Sequence, residues 1–122
     1  MKIALAQLNY HIGNFENNTA KIISAIDKAK SEGADLVVFA ELCVCGYPPR
    51  DFLEFKSFIE ECNKSISEIA ANCKGIAAIV GAPSSNPNIH GKNLFNSAYF
   101  LNEGKVEKIV SKALLPTYDV FD

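Results

Sequence analysis

The sequence is short of positive charge: it has a single arginine, Arg50, and 12 basic residues against 14 acidic ones leave a formal net charge of −2. A nucleic-acid binder carries a basic excess to neutralise phosphates, so that class is disfavoured. No apolar run approaches the roughly 18 residues of a membrane span. The opening Met1-Lys2-Ile3-Ala4-Leu5-Ala6 is stopped by Gln7 and Asn9, too soon for the apolar core of a signal peptide. There is no G-x-G-x-x-G, no P-loop and no G-x-S-x-G, and the seven glycines are scattered, so no nucleotide-binding element is legible. There is no C-x-x-C either. The cysteines are Cys43, Cys45, Cys62 and Cys73, and His11 and His90 lie far from them in sequence, so the spacing offers no zinc set and no metal site is expected. An even cysteine count implies disulfides only in a secreted chain, and no export signal is present. Internal repeats, low-complexity stretches and linkers are also missing.

What is present is apolar: 48% of the 122 residues are hydrophobic and 21% charged. Such a chain gains by collapsing and can build a core, at a length that suits one domain or part of one. Residues 2–8 read as a short N-terminal strand. Residues 14–31 read as a helix, with Ile22, Ile26 and Ala29 at helical spacing. Asn14 is the N-cap, Glu16 suits the first turn, Lys28 and Lys30 the last, and Gly33 is the stop. Residues 36–40, Leu-Val-Val-Phe-Ala, do not alternate, which marks a strand buried on both faces. Residues 43–51, with Gly46 and Pro48-Pro49, read as a loop. Residues 52–73 form a second helix whose apolar face includes Phe58, Cys62, Ile66, Ile69 and Cys73. Cys62 and Cys73 then share one face as small buried hydrophobes. A third strand covers 76–80, closed by Gly81 and Pro83, and a polar loop follows over 84–92. Strands at 93–101 and 105–111 flank Asn102-Glu103-Gly104, a tight-turn signal. Strand, helix, strand, helix, strand and hairpin make an α/β fold with right-handed crossovers.

Two charged residues stand where chemistry is placed in such folds. Glu41 follows five apolar residues at the carboxyl end of a buried strand, the edge where open α/β sheets bind ligands. Partial desolvation there raises a carboxyl pKa and suits it to proton transfer. A strand-end glutamate in an ion pair fits the same position. Lys112 ends the last strand and shares parity with Val106 and Val110, as Lys108 does, so it is either a fixed cation for an oxyanion or a snorkelling surface lysine. Tyr47 and Tyr118 each lie six residues past one of these charges. A loop tyrosine there can orient a substrate or simply cover a core edge.

The stretch Phe39-Ala40-Glu41-Leu42, followed by Gly46-Tyr47-Pro48-Pro49-Arg50-Asp51-Phe52-Leu53, resembles the carbon–nitrogen hydrolase (nitrilase) superfamily. Within it, the sequence is similar to the glutaminase domains of the glutamine-dependent NAD⁺ synthetase branch. Residues 2–9 with Gly13-Asn14, Ile79-Val80-Gly81-Ala82-Pro83, and the run from Lys112 through Leu115-Pro116-Thr117-Tyr118 to Asp122 carry the likeness through the whole chain in order.

The resemblance implies a Glu–Lys–Cys triad that hydrolyses amides, with Glu41 as general base and Lys112 as the oxyanion-stabilising cation. It implies that Tyr118 binds L-glutamine and that Tyr47 is a second pocket residue. The family's nucleophilic cysteine follows the lysine by several tens of residues, so residues 1–122 are expected to be the N-terminal portion of one glutaminase domain, ending before the nucleophile. The four cysteines present do not fit that role. The implied fold is an incomplete nitrilase-like α-β-β-α sandwich, whose uncovered sheet favours a homo-oligomer. No cofactor is expected in these residues. ATP with magnesium belongs to a separate synthetase domain, and the setting is cytoplasmic NAD⁺ synthesis. The remainder of the parent polypeptide is the expected partner, with no nucleic acid and no membrane. Two other readings are a stand-alone amidase or carbamoylase, which the Pro48-Pro49 block disfavours, and a non-catalytic truncated relative acting as a binding module.

Overall fold

A computed structural model describes residues 1–10, 14–40, 43–44, 52–85 and 94–113, without the side chains of 52–56, 85, 94–96 and 112–113. The elements run β1 (Ile3–Leu5), α1 (Phe15–Ser31), β2 (Leu36–Val38), α2 (Phe52–Ala71), β3 (Ala77–Ser85), β4 (Leu94–Asn102) and β5 (Lys105–Ala113). They build one five-stranded sheet in the order β1-β2-β3-β4-β5. The first three strands are parallel, with Leu5 beside Val38 and Val38 beside Ile79. The last two add antiparallel, as the hairpin expected from the sequence.

Both ends of α1 are specified locally. The Asn14 side-chain oxygen accepts from the Asn17 N–H at 3.0 Å and caps the start. At the other end Gly33 adopts φ +83°, and the Gly33 and Ala34 N–H groups donate to the Lys30 and Ala29 carbonyls, a Schellman closure. The step from β1 to β2 and the step from β2 to β3 run in the same direction across the sheet. Right-handed crossovers therefore lay both helices on one face. The core forms there, between Ile22 and Ile26 of α1, Cys62, Ile66 and Ile69 of α2, and Val37, Ala78, Val80, Ala82 and Leu101 of the sheet. Cys62 and Cys73 are buried, as their spacing suggests.

The opposite face carries no layer among the described residues. Leu5 is 74% exposed there and Val110 59%, and Ile3 is also exposed. Among the described residues this is one sheet with one helical layer.

Three strand expectations need correction. β3 does not close at Val80 but continues through Gly81 and Pro83 to Ser85, taking two residues of the expected loop. The reason lies in the backbone's period of two. Gly81 turns its N–H and C=O away from β4, toward Cys43 and Val44. Pro83, two residues on, has the same orientation, so its missing N–H costs the β3–β4 ladder nothing. Second, β5 runs to Ala113, so Lys112 lies within the strand rather than at its end. Third, Phe100 pairs with Lys108 but Leu101 pairs with Val106, a bulge at Glu107. Val106 thereby sits opposite buried Leu101, and the parity it was expected to share with Lys112 is broken.

The β4–β5 turn consists of Glu103 (φ 54°) and Gly104 (φ 79°), the two positive φ values of a type I′ turn. Glycine adopts that region freely, whereas glutamate is strained by roughly 1 kcal/mol. Glu103→Asn is expected to raise stability by about 0.5–1 kcal/mol, since asparagine tolerates this conformation. Urea unfolding checks it: the midpoint rises with an unchanged slope.

Candidate functional site at the carboxyl edge of the parallel strands

The parallel strands β1 and β2 end at Leu5 and Val38, and the chain continues from both in extended form. The Ala6 N–H donates to the Val38 carbonyl at 2.9 Å, and the Phe39 N–H to the Ile79 carbonyl at 3.0 Å. Leu5 to Asn9 and Val38 to Ala40 line a cavity of about 440 Å³. It lies at the carboxyl edge of the sheet, where open α/β folds bind ligands. Six of the eight lining residues are apolar, and Gln7 and Asn9 are the polar ones.

Glu41 is the next residue after Ala40 in the chain, but it lies outside the described residues, as do Tyr47 and Tyr118. The backbone of Lys112 is described and its side chain is not. It pairs with Asn96, which pairs with Pro83, so one row crosses β3, β4 and β5. That row is next to the Gly81–Ala98–Val110 row on the same face of the sheet.

Gly81 is also where the chain returns after Glu41. Val44 donates its N–H to the Gly81 carbonyl at 3.1 Å. The Gly81 N–H donates to Cys43 Sγ at 3.3 Å, and the Cys43 thiol lies 3.7 Å from the Gly81 carbonyl. From the helical side, Asn18 Nδ2 donates to the Val44 carbonyl at 3.3 Å. Cys43, Val44 and Asn18 are all fully buried. Cys43 was expected in a loop of uncertain role; it is a buried plug between α1 and β3. Burial is the main cause that pushes its thiol up to about 12 from an ordinary 9.0, against a partial offset from its backbone hydrogen bonds.

Sequence reasoning missed this contact set, although one signal was present. Asn18 continues the buried stripe of Ile22 and Ile26 at a spacing of four, and an amide on an apolar stripe must have a partner. It also missed a chain of hydroxyls on the helical face of the sheet: Ser84 to Ser97 at 2.7 Å and Ser97 to Ser111 at 2.9 Å. The Tyr10 hydroxyl is buried with no hydrogen-bond partner among the described residues, and burial, followed by the proximity of Cys43, raises its pKa. Among the described residues no group of three or more His, Cys, Asp or Glu is placed to hold a metal ion. None of the described helices is long and apolar enough to cross a membrane.

A five-stranded α/β sheet with both helices on one face sets the fold class, and likeness to known proteins sets the family. The chain belongs to the carbon–nitrogen hydrolase family, whose model matches residues 2–119. It is 41% identical to a glutamine-dependent NAD(+) synthetase from Xanthomonas campestris pv. campestris, over 100% of this chain and 22% of the relative. A crystal structure of a glutamine-dependent NAD(+) synthetase from Cytophaga hutchinsonii superposes with a TM-score of 0.81 at 28% identity, over 94% of this chain and 19% of that one. A mutant of the Nesterenkonia AN1 amidase from the nitrilase superfamily gives 0.73 at 25% identity, over 94% of this chain and 44% of that one. The chain therefore spans about a fifth of the length of the synthetases it matches.

The described thiols are chemically quiet. Cys43, Cys62 and Cys73 are free and buried, and burial also pushes Cys73 up to about 11. At pH 8, iodoacetamide is expected to leave all three unmodified in the native chain and to label them after denaturation, as read by peptide mass spectrometry. Between about pH 9 and 12 the unfolded chain has released thiol protons that the folded chain still holds. Stability accordingly falls as pH rises through that window.

Proposed function

We propose that these residues form the N-terminal portion of the glutaminase domain of a glutamine-dependent NAD⁺ synthetase, and that Glu41 and Lys112 are two members of its catalytic triad. The observation that carries this reading is the groove at the carboxyl ends of β1 and β2, lined as far as Ala40, the residue before Glu41, in a chain of the carbon–nitrogen hydrolase family. Supporting it, Lys112 belongs to the strand row adjacent to the one on which Cys43 and Val44 dock.

The chemistry is acyl transfer. A cysteine thiol, supplied by a part of the domain beyond these residues, gives its proton to Glu41 and attacks the side-chain amide carbon of L-glutamine. The carbonyl oxygen becomes an oxyanion, which the Lys112 ammonium stabilises, a contribution of about 3 kcal/mol in comparable sites. The tetrahedral intermediate collapses, the proton held by Glu41 passes to the amine, and ammonia leaves. Water activated by Glu41 then attacks the thioester and releases glutamate. Tyr118 and Tyr47 are the residues proposed to hold the glutamine. The ammonia serves a synthetase portion that amidates an adenylated nicotinate dinucleotide using ATP and magnesium, in the cytoplasm.

Residues 1–122 by themselves are expected to show no glutaminase activity, because Glu41 and Lys112 bind and polarise an amide but cannot form the acyl-enzyme. In the full-length polypeptide, Glu41→Gln and Lys112→Met are each expected to lower glutamine-driven NAD⁺ synthesis by at least about a thousandfold while synthesis from added ammonium persists. Wild-type glutamine-driven rates in both variants would sink the reading.

The face carrying Ile3, Leu5 and Val110 is proposed to pack against the rest of the domain in the full-length protein, and to drive self-association when the 122 residues are produced alone. Sedimentation at rising concentration is expected to show growing weight-average mass, and Leu5→Lys to shift the profile toward monomer.

A further inference from the structure

Glu41 lies between two anchors on the same strand. On its amino side, Phe39 is held to Ile79 of β3 by the 3.0 Å N–H···O bond. On its carboxyl side, Cys43 and Val44 are held to Gly81, two residues further along β3. Covalent geometry keeps the Glu41 Cα within about 7.6 Å of the Cα of both Phe39 and Cys43, two trans peptide steps in each direction.

The second anchor is built differently from the first. The Phe39 contact uses only backbone groups and comes with the strand. The Cys43–Val44 contact has one backbone bond, from the Val44 N–H to the Gly81 carbonyl, and adds two buried side chains, one from the turn itself and one from α1. Asn18 is fully buried on the stripe that otherwise holds Ile22 and Ile26. Burying a carboxamide among aliphatic side chains is unfavourable unless its polar atoms are bonded, and Nδ2 donates to the Val44 carbonyl. An aliphatic residue would serve the core better at that position. The Cys43 thiol meets both backbone groups of Gly81, accepting from the N–H and pointing its hydrogen toward the carbonyl. It thereby takes the place of a strand partner where β2 has already ended. The turn is gripped from the helix on one side and from the sheet on the other.

We propose that Asn18 and Cys43 are positioning residues that pin the chain after Glu41 to β3 and so set the geometry of the Glu41 carboxylate. The inference rests on the glutaminase reading above. Neither residue touches substrate in this scheme; each acts through the turn. A base displaced by about 1 Å from its working position loses on the order of a hundredfold in rate while substrate binding is little affected.

The test uses the full-length polypeptide and two assays, NAD⁺ synthesis driven by glutamine and synthesis driven by added ammonium chloride, with Asn18→Ala, Cys43→Ala, Cys43→Ser and Glu41→Gln. Asn18→Ala and Cys43→Ala are expected to lower the glutamine-driven kcat by about ten- to a hundredfold, with KM for glutamine within twofold and the ammonium-driven rate unchanged. Cys43→Ser, which keeps both a donor and an acceptor, is expected to recover most of the loss. Glutamine-driven kcat within twofold of wild type in both alanine variants would overturn the proposal. So would a parallel fall in both assays, which marks a purely structural role. If Asn18→Ala does not fold, the difference between Cys43→Ala and Cys43→Ser decides, and equal rates overturn the proposal. Glu41→Gln separates the two levels of inference. If it leaves glutamine-driven synthesis intact, the glutaminase reading fails; if it abolishes that synthesis while the alanine variants match wild type, only the positioning role fails.

Discussion

The handedness of two crossovers governs this structure. β1, β2 and β3 step across the sheet in one direction, so both right-handed connections return over the same face. Had the second step reversed direction, α2 would cover the other face, as in a doubly wound fold. Instead one face has a close-packed helical layer and the other presents Ile3, Leu5 and Val110. The apolar content of β1 and β2 makes sense only with both faces in view. Leu-Val-Val does not alternate because both of its sides are meant to be dry, although a single layer is described here.

The same constraint places the groove. With the helices on one side, the chain leaving each parallel strand has to turn at the carboxyl edge before it can re-enter the helical layer. Leu5 to Asn9 and Val38 to Ala40 make those exits side by side and line an open groove between them. β3 differs from its parallel neighbours because it continues six residues past Ile79, to Ser85, where β2 has gone. Its unpaired edge is the surface on which the Cys43–Val44 turn docks. The antiparallel strands β4 and β5 then extend the sheet and carry the Lys112 row alongside. A strand longer than its neighbour thus links the two halves of the proposed site.

Most of the element order was legible because it rests on local chemistry. Asn14, Gly33 and the spacing of Ile22 and Ile26 specify α1 without reference to anything else, and Glu103-Gly104 specifies the hairpin. The errors fall where a tertiary contact decides. Gly81 and Pro83 read as a strand ending, and they would be one in a strand paired on both sides. They are not one here, because the backbone edge they leave open faces the Cys43–Val44 turn. The parity of Lys112 with Val106 failed for the same kind of reason, since one extra residue in β5 is visible only once Leu101 has a partner. For the proposed site, Glu41 and Lys112 were put forward from their strand positions and from the family resemblance. Asn18 and Cys43 were not, because their significance depends on a contact spanning 26 residues and another spanning 38.

That contrast bears on how such a site is maintained. A catalytic carboxylate at a strand end is exposed to any slack in the turn that follows it, and turns are the least constrained part of an α/β layer. Backbone pairing holds this turn at one point only, the bond from the Val44 N–H to the Gly81 carbonyl, since β2 has ended. Charge pairing would be unfavourable so deep beneath α1. What remains is a small set of neutral groups with fixed geometry: one carboxamide, one thiol and the two backbone atoms of a glycine. They are compatible with burial, they are directional, and they converge on Cys43 and Val44, two and three residues after Glu41. Their neutrality also matters. A charged group used as an anchor here would perturb the proton affinity of Glu41, on which the proposed base chemistry depends, whereas an amide and a protonated thiol leave it to be set by the groove.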